Sequence, residues 1–131
     1  MNKLKSKPVW VLVIAGFYIF GAAALIIMYM TNSSLAASQI ALRHGLPAST
    51  ENWVLLVAAC LGILIGAGLI SLSRWGYVFT MAYLGYFLAV NLYQAKGELA
   101  TISFGNVIFA ATEIIYLFLV RRRFFPKASI R

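Results

Sequence analysis

Four stretches of the chain, residues 9–30, 53–72, 76–93 and 104–120, are nearly unbroken runs of apolar and aromatic residues. Each is close to the ~20 residues a helix needs to cross ~30 Å of hydrocarbon. None shows the alternation of a barrel strand, and backbone groups in lipid must be satisfied within their own segment, so helices are the expected form. The pattern predicts an all-α membrane protein: four transmembrane helices in an antiparallel bundle with short loops, in a single integral membrane domain over residues 1–131.

The punctuation of the runs agrees with this. Pro8 suits a first helical turn, Trp10, Trp53 and Trp75 mark starts of spans, and Tyr29 and Tyr93 mark ends. Phe124 and Phe125 are expected to anchor the last span at the interface. The 31–52 connection is the one long loop. Its SLAASQIALR is expected to form a short helix on the membrane surface, and Ser49 or Thr50 in PASTENW to cap the second span. SLSRWG makes a tight turn between spans two and three, and a connection around QAKGELATIS makes spans three and four neighbours. Small residues recur at four-residue spacing, Ala58, Gly62 and Gly66 in span two and Gly85 and Ala89 in span three. Such rows let helix backbones approach closely, either within the monomer or as a homodimer face on Gly62 and Gly66.

Composition moves the chain firmly away from soluble domains. It is 63% hydrophobic with a mean hydropathy of +0.89, against the roughly 45–50% apolar content of soluble folds. Thirteen of its fourteen formal charges fall outside the four runs. Nine basic residues (Lys3, Lys5, Lys7, Arg74, Arg121, Arg122, Arg123, Lys127, Arg131) lie on one face of the predicted topology and two, Arg43 and Lys96, on the other. That bias places both termini in the cytoplasm. The net charge of +8 gathers at predicted helix ends, so Arg121, Arg122, Arg123 and Lys127 are expected to contact anionic lipid headgroups, and nucleic acid is not an expected partner. The first run is too long for the ~7–15-residue core of a secretory signal and is expected to stay as an uncleaved helix. Cys60 is the only cysteine, which excludes an intrachain disulfide, and it is expected in the core.

The exceptional charge is Glu113, in FAATEIIYLFLV. Helical periodicity puts Ser103, Asn106, Ala110, Glu113 and Leu117 on one side of span four, and Thr80, Tyr83, Phe87 and Asn91 on one side of span three, opposite Gly85 and Ala89. Tyr18 lies at similar depth in span one. The candidate intramembrane polar site is therefore Glu113, Asn106, Tyr83, Thr80, Asn91 and Tyr18. A charged carboxylate at bilayer centre costs at least ~2.5 kcal/mol, and no Lys or Arg lies within a span to pair with it, so a neutral acid held by hydroxyl or amide groups is expected. Two readings follow: a proton-coupled or cation-binding site, or an interhelical hydrogen bond by a neutral acid. His44, the only histidine, reads as a solvated loop residue. With no Asp in the chain and no His, Lys, Arg or second acid in the spans, there is no acid–base pair, nucleophile triad or metal cluster, and neither an enzyme nor a cofactor is expected. The function expected is that of a noncatalytic accessory or interaction subunit of a membrane complex. The alternative is a homo-oligomeric transporter of a small molecule or lipid-linked substrate, proton-coupled at Glu113.

GLISLSRWGYVFTMAYLG, with a last helix ending YLFLVRRRFFPKA, resembles a broad group of small bacterial four-span inner-membrane proteins in which a basic, tryptophan-containing turn joins spans two and three. The resemblance covers about residues 53–128, implies the four-span topology and a bacterial inner (plasma) membrane, and carries no functional residues over. The small multidrug resistance transporters also combine four short helices with one membrane glutamate, but theirs is in the first helix, where this chain has no acid. The GtrA-like proteins are similar in length and span count, without a match of motif residues.

Overall fold

A computed structural model of the chain describes residues 7–47, 52–97 and 100–126. Lys3, Lys5, the Ser49 or Thr50 cap, Lys127 and Arg131 lie outside them. Among the described residues there are five α-helices and no strand: α1 Val9–Met30, α2 Ser34–Arg43, α3 Trp53–Ile70, α4 Arg74–Gln94 and α5 Ala100–Leu119, with a 3-10 turn at Arg121–Arg123. α1, α3 and α5 are long and apolar enough to cross a membrane, which marks an integral membrane protein. α4 is as long, 21 residues, but its tyrosine, threonine and amide side chains dilute its hydropathy.

Glycines decide how closely the helices approach. α1 lies antiparallel on α3, and a Cβ at Gly62 would come within 3.0 Å of the Tyr18 carbonyl oxygen. A Cβ at Gly66 would come 2.5 Å from Ile19 Cγ1 and 3.1 Å from the Ala15 carbonyl oxygen. The small-residue row of α3 is thus used inside the monomer, where backbone approach brings dispersion contacts that lipid does not supply. The α3–α4 hairpin closes on Gly68 and Gly76, whose backbones touch; a Cβ on Gly76 would lie 2.5 Å from the Gly68 Cα. Between them Leu72 adopts φ 50, and Ser73 donates its N–H to the Gly68 carbonyl (3.2 Å) and caps α4 by accepting from Gly76 N (3.1 Å). Lys7 Nζ donates to the Ile70 carbonyl (2.5 Å), tying the start of α1 to the end of α3.

α4 packs along α5 around Leu84, Ala110 and Leu117. Phe124 differs from its expected place at an interface: it is 1% exposed, because the 3-10 turn folds the chain back until its ring lies 5.1 Å from that of Tyr77. Cys60, expected in the core, is exposed on α3. Gly85 and Ala89 are both exposed, and among the described residues nothing lies within 4 Å of a Cβ at Gly85.

The short helix lies on the bundle itself rather than beside it. Ala37 and Ala41 of α2 pack against Val54 and Leu55 of α3. The carbonyls that end α2, which lack partners within their own helix, are met by α4. Gln94 Nε2 donates to Leu42 O (2.6 Å), Asn91 Nδ2 to Arg43 O (3.5 Å) and the Tyr86 hydroxyl to His44 O (2.7 Å). α2 therefore closes one end of the bundle.

Candidate functional site

α5 turns inward the stripe that its periodicity predicts: Ser103, Ala110, Glu113 and Leu117 are buried and Asn106 half-buried. Glu113 is 6% exposed. Tyr18 of α1 donates its hydroxyl to Glu113 Oε2 at 2.9 Å. The contact matters because α1 and α5 pack mainly on other helices, α1 on α3 and α5 on α4. The Tyr18–Glu113 hydrogen bond and the Phe17–Phe109 ring contact, 5.3 Å between centroids, bridge α1 to α5. No basic residue occurs in α1, α3 or α5 to pair with the acid.

Tyr18 also connects to a second group. Its ring meets that of Tyr83 edge-on at 6.2 Å, and the Tyr83 hydroxyl lies 3.0 Å from His44 Nε2. The other ring nitrogen, Nδ1, is 2.8 Å from the Ile40 carbonyl, an acceptor, so Nδ1 carries the proton and Nε2 accepts from Tyr83 while the ring is neutral. His44, expected to be solvated, is half-buried at the foot of α2 with its ring 5.6 Å from Phe87. Four titratable side chains from four elements thus run from the α2 end towards the middle of the bundle: His44, Tyr83, Tyr18 and Glu113.

The other candidates are held elsewhere. Asn106 Nδ2 donates to Asn91 Oδ1 (2.9 Å), and Asn91 Nδ2 donates to the Phe87 carbonyl (2.8 Å), so this amide pair joins α4 to α5 near α2. Thr80 donates to the Gly76 carbonyl of its own helix (2.7 Å) and takes no part in the Glu113 site. Arg121, Arg122 and Arg123 are exposed, with the Arg121 guanidinium 4.2 Å over the Phe118 ring.

Space lies on both sides of the Tyr18–Glu113 contact. A cavity of about 510 Å³ runs from α2 down to Tyr18, bounded by Leu25, Ile40, Leu61, Ile65 and Leu84, with His44 and Tyr83 on its wall. On the other side Glu113 lines a groove of about 390 Å³ between α1 and α5, with Trp10, Ile14 and Tyr116. Phe17 and Phe109 belong to both, so that aromatic pair is the partition between them. A third space of about 230 Å³, between α2, α4 and α5, shares Arg43 and Asn106 with the large cavity. The arrangement offers an apolar chamber of ligand size, a few converging polar groups, and one acid bonded by a tyrosine that lines the chamber.

Tyr18→Phe is expected to lower the stability of the bundle by about 0.6–2 kcal/mol, the scale of one interhelical hydrogen bond in a membrane. The measurement is the unfolding midpoint in a denaturing-detergent titration. An unchanged midpoint would show that the bond adds nothing to the α1–α5 contact.

No family model matches the chain, and neither the characterised proteins nor the solved structures contain a significant match to it.

Proposed function

We propose that the protein is a noncatalytic four-span transporter of a bacterial inner membrane that binds a small amphipathic molecule between its helices and couples binding to proton exchange at Glu113. The observation that carries this is the chamber of about 510 Å³ meeting the Glu113 groove at the Phe17–Phe109 partition. Relative motion of α1 and α5 would open that partition and break the Tyr18–Glu113 bond in one step, so ligand passage and the environment of the acid change together.

The spans in this reading are α1, α3, α4 and α5. α4 has the reach, since 21 residues at ~1.5 Å each cover ~30 Å. Its polar Thr80, Tyr83 and Asn91 face protein. The nine-to-two distribution of basic residues supports cytoplasmic termini, which puts α2 on the outer side. Single cysteines introduced at Lys96 and at Arg122, on a background with Cys60 replaced, are expected to react with an impermeant reagent in intact cells at position 96 only. Labelling at 122 but not 96 would reverse the orientation.

The exposed Gly85 and Ala89 favour a second reading, an accessory subunit of a membrane complex in which a partner helix lies on that face of α4. Extraction of the full chain in mild detergent separates the two. A homo-oligomer carrying a copurified amphiphile, detected by native mass spectrometry, supports the transporter. Coelution with a larger complex and no small molecule supports the accessory subunit. A lone monomer with neither contradicts both.

A further inference from the structure

We infer that the chamber selects an amphipathic anion: one alkyl chain lying between α1, α3 and α4, and an oxyanion head, phosphate or carboxylate, held at Arg43. The inference rests on the reading of the chamber as a ligand site and adds the class of ligand.

The spaces are graded in the way such a molecule requires. The walls of the large chamber are apolar through Leu25, Ile40, Leu61, Ile65 and Leu84, while the smaller space beside it is lined by Gln39, Asn91, Gln94, Ser103 and Asn106. Arg43 lies on both. No Asp or Glu lines either space among the described residues, so a cationic head would meet Arg43 without a counter-charge. The amides already serve the protein: Asn91, Gln94 and Asn106 donate to a carbonyl, a carbonyl and an amide oxygen. A neutral head at these amides would therefore compete with bonds that hold α2 on α4 and join α4 to α5. An oxyanion instead uses the guanidinium, whose donors form a fork matched to two oxygens. From Leu25 to Tyr18 the chamber follows seven residues of α1, ~10 Å at ~1.5 Å per residue, which suits a medium-length alkyl chain. With α2 on the outer side, the molecule would stand as an outer-leaflet lipid does, head at the surface and chain inward.

The test uses the full chain in phosphatidylcholine nanodiscs and a decyl phosphate carrying a photoreactive diazirine at the chain end. Labelled residues are mapped by mass spectrometry, with decyl phosphate, decyl maltoside, decyltrimethylammonium and inorganic phosphate as competitors. Labelling is expected on the α1 and α3 residues that line the chamber, with decyl phosphate competing about tenfold better than the maltoside or the ammonium compound, and inorganic phosphate not competing. Arg43→Gln should remove that preference while labelling persists. Leu61→Trp, or the milder Ala58→Leu should the first not fold, should abolish labelling by filling the chamber. Equal competition by all three amphiphiles, or competition by inorganic phosphate, overturns the anionic amphiphile and leaves the chamber as a ligand site. Labelling that survives a folded chamber-filling variant, or falls on outward residues such as Leu92 and Phe104, overturns the chamber reading itself.

Discussion

Glu113→Gln is expected to abolish ligand-linked proton exchange while leaving the fold intact. The amide keeps the shape of the acid and an oxygen that accepts from Tyr18, so the 2.9 Å bond between α1 and α5 has a direct substitute. It cannot titrate, so whatever proton the acid takes up or releases when ligand enters is lost completely. The measurement is the pH change of a weakly buffered proteoliposome suspension on addition of decyl phosphate. A Gln variant that still exchanges protons would place the coupling at another group, and His44 would then be the first alternative. Glu113→Leu makes a different cut. It removes the acceptor and leaves the Tyr18 hydroxyl without a partner, and is expected to lower stability by about 0.6–2 kcal/mol. If Gln is silent in every assay and only Leu has an effect, Glu113 serves structure alone.

Gly76→Val is expected to have the largest effect on stability. The glycine sits where α3 and α4 cross, and its missing Cβ would meet three backbone atoms of Gly68 between 2.5 and 2.6 Å away. Backbone cannot move aside as the end of a side chain can, so the helices must separate, at a cost of about 3 kcal/mol, the upper end for overpacking. The same residue donates its N–H to the Ser73 cap, and that bond shifts with it. Gly85→Ala is the control on the same helix. With nothing within 4 Å of its Cβ, it is expected to be neutral, or stabilising by roughly 0.5–1 kcal/mol from the backbone freedom that glycine loses in a helix. Unfolding midpoints in detergent for the pair check both, and equal midpoints would contradict the tight hairpin.

The long helices and the inward stripe of α5 were legible because both rest on local rules. Span length follows from hydrocarbon thickness, and a 3.6-residue period places Ser103, Ala110, Glu113 and Leu117 on one face whatever surrounds them. Tyr18 could be proposed as a partner of Glu113 because depth along a span can be counted from its ends. Which of several hydroxyls at that depth reaches the acid depends on how the helices are arranged around the bundle, and Thr80, equally polar, bonds its own helix instead.

His44 was missed for a related reason. In sequence it is a lone histidine beside a glycine, and only the docking of α2 against α3 and α4 brings it to Tyr83. A signal did exist. Tyr86, Asn91 and Gln94 place side-chain donors along the last part of α4, more than a lipid-facing helix end requires, and they are what the carbonyls of α2 need. Phe124 and Cys60 show the limit of composition rules. An aromatic next to arginines usually marks an interface, but a 3-10 turn buries Phe124, and the small Cys60 points outward because Ala59 and Gly62 occupy the inner face of α3.

Proton coupling in this protein requires Glu113 to be bonded by Tyr18 and to change with the contents of the chamber. Infrared difference spectroscopy in lipid, wild type against Glu113→Gln, isolates the carboxyl band of that one residue. The band is expected to shift in Tyr18→Phe and to change in intensity when decyl phosphate is added to the wild type. A carboxyl band indifferent both to the loss of the Tyr18 hydroxyl and to the ligand would contradict it.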